Sequence, residues 1–230
     1  MIIKGLAKLT LLDYPGRVAC TVFTGGCNFK CPFCHNASLA VRSGEMPNIP
    51  EEEVFSLLDK RKGILDGVCV TGGEPLLMPD VADFLGRIKE RGFSVKLDTN
   101  GSRPEQLMGL IDLGLVDMVA MDIKNSPEKY ALTVGLADFD IAPIRESIGI
   151  LMEGRVPYEF RTTVVNELHT AEDMEAIGRR IEGASAYYLQ SFVDSGDLIG
   201  SGMSACSKPT LESFLAIVQK YVSNSHLRGV

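Results

Sequence analysis

Strand and helix signals alternate along almost the whole chain, and no other feature restricts its fold so strongly. Short apolar runs at residues 17–23, 67–71, 93–98, 116–122, 158–164 and 186–190 read as strands. Amphipathic segments at 50–60, 79–91, 104–113, 141–152, 171–181 and 209–222 read as helices. The first of these opens with Glu51, Glu52 and Glu53, acids that suit the positive end of a helix dipole. Six strand-to-helix units with short connections imply an α/β fold whose parallel sheet is covered by helices. Six units fall two short of a closed eightfold barrel, so an open partial barrel and a doubly wound sheet both fit the count. No linker or low-complexity stretch interrupts the pattern, and residues 1–230 read as one domain.

Composition narrows the function classes. Apolar residues make up 45% of the 230 and charged residues 23%, ordinary for a globular protein. A net charge of −7 argues against a nucleic-acid partner held through phosphates. The N-terminus lacks a secretory pattern, and no apolar run approaches the roughly 18 residues that cross a bilayer, so a cytoplasmic protein without a membrane partner is expected.

Six cysteines stand at positions 20, 27, 31, 34, 69 and 206, in a compartment where disulfides are disfavoured. Cys20 and Cys69 sit inside apolar runs and read as buried strand residues; Cys206 stands alone in a Gly/Ser-rich loop. The other three form Cys27-Asn28-Phe29-Lys30-Cys31-Pro32-Phe33-Cys34, directly after a strand and Gly25-Gly26. Three thiolates can hold three corners of a cubic iron–sulfur cluster and leave one iron open, whereas a structural zinc wants four protein ligands. A zinc knuckle with His35 as fourth ligand is the alternative, but adjacent ligands at Cys34 and His35 strain a tetrahedron.

Further polar groups recur at the ends of successive strands, where a barrel builds its site, and so favour the barrel over the doubly wound sheet. After the second strand run, Thr71-Gly72-Gly73-Glu74-Pro75 offers exposed backbone and one carboxylate, which suits an ammonium group; alone it is an ordinary turn. After the third, Asp98-Thr99-Asn100-Gly101 suits hydroxyls or a monovalent cation, or is a capped Asn-Gly turn. Asp122 and Lys124 end the fourth and alternate, so both point the same way. Arg161 interrupts the fifth, and a buried arginine demands an anion: a bound carboxylate, or Asp122 on the neighbouring strand. Gln190 closes the sixth and suits hydrogen bonding to a base or ribose. His169 reads as a surface residue and His226 as part of a polar tail.

In this order, the cysteine loop, GGEP, LDTNG and MDIK resemble the radical S-adenosylmethionine (SAM) enzymes, specifically the activating enzymes of glycyl radical enzymes, from about residue 5 to residue 220. Cys34-His35-Asn36 matches the CHN of those activases, and Asp13-Tyr14-Pro15-Gly16 is similar to the DGPG-type segment that contacts the partner's glycine loop. Leu12–Gly16 together with FTGGCNFKCPFCHN looks closest to the anaerobic ribonucleoside-triphosphate reductase activating proteins. The resemblance implies a partial (β/α)6 TIM-like barrel of the radical SAM type, with a 4Fe–4S cluster on Cys27, Cys31 and Cys34 and SAM chelating the open iron. It implies that Gly72, Gly73 and Glu74 meet the SAM amino group and that Phe33 and His35 flank the cofactor. Asp98, Thr99 and Asp122 match positions around the SAM carboxylate and a monovalent cation, and Lys124 matches the lysine of DLK; Asn100, Arg161 and Gln190 are expected among the cofactor contacts. Asp13 would face the partner peptide, outside the SAM contacts.

The implied partner is a glycyl radical enzyme, anaerobic ribonucleotide reductase first, with flavodoxin or ferredoxin as electron donor. A pyruvate formate-lyase-type activase, a small-metabolite enzyme such as a deazapurine synthase, and a zinc-binding interaction module are the alternatives. Two departures stand out. The Pro-Tyr-His that ends the sixth strand of those activases is missing, Phe192 standing at that place with Gln190 as substitute. The extra cluster domain with eight more cysteines is also absent, which excludes the hydroxyalkyl and amino-acid-decarboxylating subgroups.

Overall fold

Eight strands lie in one sheet in strict chain order in the computed structural model, which describes residues 1–230. They are β1 (Ile3–Thr10), β2 (Ala19–Thr24), β3 (Gly67–Gly72), β4 (Ser94–Thr99), β5 (Met118–Asp122), β6 (Tyr158–Val164), β7 (Tyr187–Ser191) and β8 (Ser225–Arg228). β1 runs antiparallel to β2, and every later pair is parallel. A doubly wound sheet reverses its strand order at a switch point. Here the order never reverses, so with right-handed crossovers the helices collect on one face and the sheet curls towards a barrel. β1 and β8 do not pair, and the curl stays open.

The helices are α1 (Ala37–Val41), α2 (Glu51–Lys60), α3 (Val81–Glu90), α4 (Pro104–Asp112), α5 (Tyr130–Val134), α6 (Ala142–Met152), α7 (Ala171–Arg180) and α8 (Lys208–Val218). Strand alternation sorts the side chains. Val68, Val70, Val95, Leu97, Val119 and Met121 are fully buried and join one apolar cluster with Leu58 of α2, Leu85 of α3 and Leu107 of α4. The opposite face of the same strands carries Lys96, Asp98, Asp122, Glu159, Arg161 and Gln190, so the inside of the curl is charged. No helix is long and apolar enough to cross a membrane.

The six expected units correspond to β2–β7 and α2, α3, α4, α6, α7 and α8, with no end shifted by more than four residues. β1, β8 and the short helices α1 and α5 were not expected. His226 lies in β8, paired in register with Tyr188 and with its ring 5.8 Å from that tyrosine's, not in a loose tail.

Candidate active site

The cysteine loop leaves β2 at Thr24 and is held from several sides. Gly26 and Cys27 donate their N–H groups to the carbonyls of Leu39 and Ala40 in α1, at 2.8 and 3.2 Å. Lys30 donates to Val134 O at the end of α5, and Gly200 donates back to Pro32 O, both at 2.8 Å. The loop after β7 thus straps the cysteine loop from above, and Ser38 N–H adds a bond to Asp197 at 2.9 Å. The β3 turn packs directly against it: Glu74 N–H donates to Gly26 O at 2.8 Å. A Cβ at Gly73 would fall 1.9 Å from that oxygen, and Gly72 has φ +116°, so both positions demand glycine.

Cys27, Cys31 and Cys34 are free thiols on this loop. The Cys27 sulfur receives the Phe29 N–H at 3.4 Å and the Asn100 amide at 3.7 Å, the kind of donors that stabilise a ligating thiolate. Burial pushes the Cys27 thiol up to about 11 and the Cys31 thiol to about 12, so metal binding here must release protons. Three thiols on one short loop border one cavity and can supply three of the four corners of a cluster. The donor set fits an iron–sulfur cluster.

A solvent-open cavity of about 270 Å³ lies against the loop at the C-terminal ends of the strands. It is lined by Cys27, Cys31, Cys34, Phe33 and His35 from the loop, Gly72 and Gly73 from the β3 turn, and Asp98, Thr99 and Asn100 after β4. Asp122, Lys124, Arg161 and Gln190 complete the far wall, and Asp13 lines it as well. Every residue expected to hold the cluster, meet the cofactor or meet the partner peptide reaches this one cavity except Glu74.

Glu74 turns inwards. It is fully buried and accepts from Leu76 N–H (3.0 Å), Thr99 Oγ1 (2.8 Å) and Asn100 N–H (2.6 Å). The carboxylate expected to face an ammonium instead buckles the β3 turn to the end of β4, and the neighbouring glycines present only backbone to the cavity. Arg161 also resolves its alternatives in favour of protein partners. Its Nε donates to Asp122 Oδ1 at 2.9 Å and its Nη1 to Asp98 Oδ2 at 3.0 Å. Lys124 Nζ holds Asp122 Oδ2 at 2.9 Å, and Lys96 holds Asp98 Oδ1. Burial alone would raise the Asp122 carboxyl, but the adjacent guanidinium and ammonium outweigh it and hold it well below the usual carboxylate range.

His169 is 3% exposed, not a surface residue. Its Nδ1 accepts the Val165 N–H at 3.0 Å, which leaves Nε2–H to donate to the Lys124 carbonyl at 2.9 Å. Burial lowers its pKa, consistent with this neutral tautomer. Sequence reasoning also missed Lys96, which the i, i+2 spacing to Asp98 would have revealed, and Thr163, two residues on from Arg161 on the same face. Cys20, Cys69, Cys206 and Phe192 are buried and do not line the cavity.

A model of the Radical SAM superfamily matches residues 21–179 of the chain. Over its whole length the chain is 31% identical to a provisionally named glycyl-radical enzyme activating enzyme of Methanocaldococcus jannaschii, and it spans 96% of that protein. It is 30% identical over 174 residues to the pyruvate formate-lyase-activating enzyme of Listeria monocytogenes, a match covering 71% of this chain and 68% of the other. Among solved structures, Streptococcus suis SuiB bound to precursor peptide SuiA aligns with a TM-score of 0.71 at 14% identity, over 91% of this chain and 48% of SuiB. That last likeness is one of fold.

Proposed function

The chain belongs to the radical SAM superfamily, among its glycyl-radical-enzyme activating members, and on that premise we propose that it installs a glycyl radical on a partner enzyme. Its superfamily consists of enzymes that use a 4Fe–4S cluster and SAM. When bound, those groups supply reductive cleavage of the sulfonium and the abstraction of a hydrogen atom; the protein supplies position, charge and exclusion of water.

In this reading Cys27, Cys31 and Cys34 hold the cluster. Gly72 and Gly73 offer backbone groups to the SAM amino end, a contact their close approach to Gly26 favours. Lys124 and Arg161 make the far wall positive for a carboxylate. Phe33, His35, Thr99, Asn100 and Gln190 form the remaining wall, and Asp13, which lines the same cavity, meets the incoming glycine-bearing peptide. Residues 1–230 act as one radical SAM core. The carrying observation is the convergence of these groups, drawn from seven segments of sequence, on one cavity beside three free thiols.

As partner, we favour anaerobic ribonucleotide reductase, with flavodoxin or ferredoxin as electron donor. The Leu12–Gly16 segment and the FTGGCNFKCPFCHN run support it. The Listeria relative supports pyruvate formate-lyase as the second choice. The test is anaerobic incubation of the iron-reconstituted protein with SAM, a reductant and each candidate partner, read by electron paramagnetic resonance. A glycyl radical signal on the reductase is expected. A signal only on the formate-lyase reassigns the partner, and SAM cleavage without a signal on either overturns the activase reading.

A further inference from the structure

Asp98, Thr99 and Asp122 are the residues a monovalent cation beside SAM would require, and in this chain they are already engaged. All four carboxylate oxygens have a nitrogen partner: Lys96 on Asp98 Oδ1, Arg161 on Asp98 Oδ2 (3.0 Å) and on Asp122 Oδ1 (2.9 Å), and Lys124 on Asp122 Oδ2 (2.9 Å). The Thr99 hydroxyl donates to Glu74, which orients its hydrogen away from the cavity. Three cations and two acids make this a cluster with one surplus positive charge; Asp13, the other carboxylate on the cavity wall, is bonded to Thr21.

The Arg161 side chain is 13% exposed, and its guanidinium lies between the two aspartates. An ion entering there would have to expel it and leave a largely buried guanidinium without a partner, which is strongly unfavourable. A planar fork with fixed donors is suited to bridging two carboxylates where a single ion would otherwise sit. The cavity residues therefore do not fit a monovalent cation.

We infer that Arg161 is a positioning residue that takes the place of that ion: its guanidinium joins Asp98 to Asp122, and the enzyme binds SAM with no requirement for Na⁺ or K⁺. The inference rests on the radical SAM reading above, and its test separates the two. SAM affinity of the anaerobically reconstituted protein would be measured by calorimetric titration in potassium, sodium and tetramethylammonium buffers of equal ionic strength. Wild type should bind equally in all three, within about twofold. Arg161→Gln, which empties the bridge, should weaken binding about tenfold or more in tetramethylammonium and recover in potassium, a difference of about 1.4 kcal/mol. A structural role alone would not create an ion requirement. Should the variant fail to fold, the wild-type comparison still decides, because a tenfold loss on withdrawing K⁺ and Na⁺ overturns the inference. Failure to bind SAM in any buffer with the cluster intact overturns the radical SAM reading itself, and this inference with it.

Discussion

At the scale of single residues, the cysteines divide by what surrounds their sulfurs. Cys27, Cys31 and Cys34 line the cavity, while Cys20 and Cys69 are buried within strands and Cys206 is buried just ahead of α8. Replacing any one of the first three with Ala should abolish cluster assembly, measured as iron and sulfide per chain, whereas Cys20→Ser, Cys69→Ser and Cys206→Ser should keep the full complement. Retention of iron by Cys27→Ala would sink the assignment. Glu74 makes a different kind of prediction. Three buried donors converge on its carboxylate, so Glu74→Ala should destabilise the cluster-free protein by roughly 2–4 kcal/mol, read in denaturant unfolding. A residue that only bound ligand would show no loss. Burial raises its carboxyl from 4.5 to about 7 against those hydrogen bonds. The unfolded chain then releases its proton first, so this contribution is complete below 4.5 and is lost as pH rises through about 7. Stability should therefore fall between those values in wild type, and Glu74→Gln should flatten that part of the profile.

At the scale of elements, the open barrel is finished by a strand with almost no apolar character. β8 reads Ser-His-Leu-Arg, and Arg228 reaches across to Glu159 on β6, bonding both carboxylate oxygens at 3.1 and 3.3 Å. The same guanidinium lies 3.9 Å from the centre of the Tyr188 ring. The Glu159 side chain is only 3% exposed, so Arg228→Ala strands a buried charge. A fully buried pair loses about 3–5 kcal/mol in this way, and the 36% exposure of Arg228 discounts that to roughly 2–3 kcal/mol. Adding Glu159→Gln should restore part of the loss in denaturant melts, and a double variant no better than the single would show that the strand, not the charge, matters. The composition that makes this strand useful also hid it. Strands β2–β7 bury one apolar face and were legible from that run; β8 faces its polar residues into a charged interior and is four residues long. β1 was hidden for a related reason, since Lys4 and Lys8 break its apolar pattern at an edge with intermediate burial. His169 looked like a surface residue because it opens a helix after Glu167-Leu168, but the Val165 N–H and the Lys124 carbonyl close over both of its ring nitrogens. Motif spacing placed Glu74 near the site but carries no information about which way its side chain turns.

At the scale of the whole molecule, the β1–β2 connection lies at the N-terminal ends of the parallel strands, at the opposite end of the sheet from the cysteine loop. Asp13 belongs to that connection and shares the cavity with the three thiols, closer to the cofactor residues than a purely peripheral turn would be. Its carboxylate accepts the Thr21 hydroxyl, which fixes one oxygen and leaves the other to accept from a peptide backbone reaching into the cavity. Leu11 and Leu12 beside it are 67% and 88% exposed, apolar surface with no covering in the isolated chain. Because Asp13 makes no contact with the Lys96–Asp98–Arg161–Asp122–Lys124 cluster, its loss should not disturb the wall that holds a carboxylate. Asp13→Ala should therefore leave iron content and slow uncoupled SAM cleavage near wild type while glycyl radical on the partner falls by about tenfold or more, the loss of one charge-assisted hydrogen bond of ~1.5–3 kcal/mol. Asp13→Asn, which keeps an acceptor oxygen, should recover part of the signal. Equal radical yields from Asp13→Ala and wild type would reduce this turn to a structural role and move the peptide's contact to another part of the cavity.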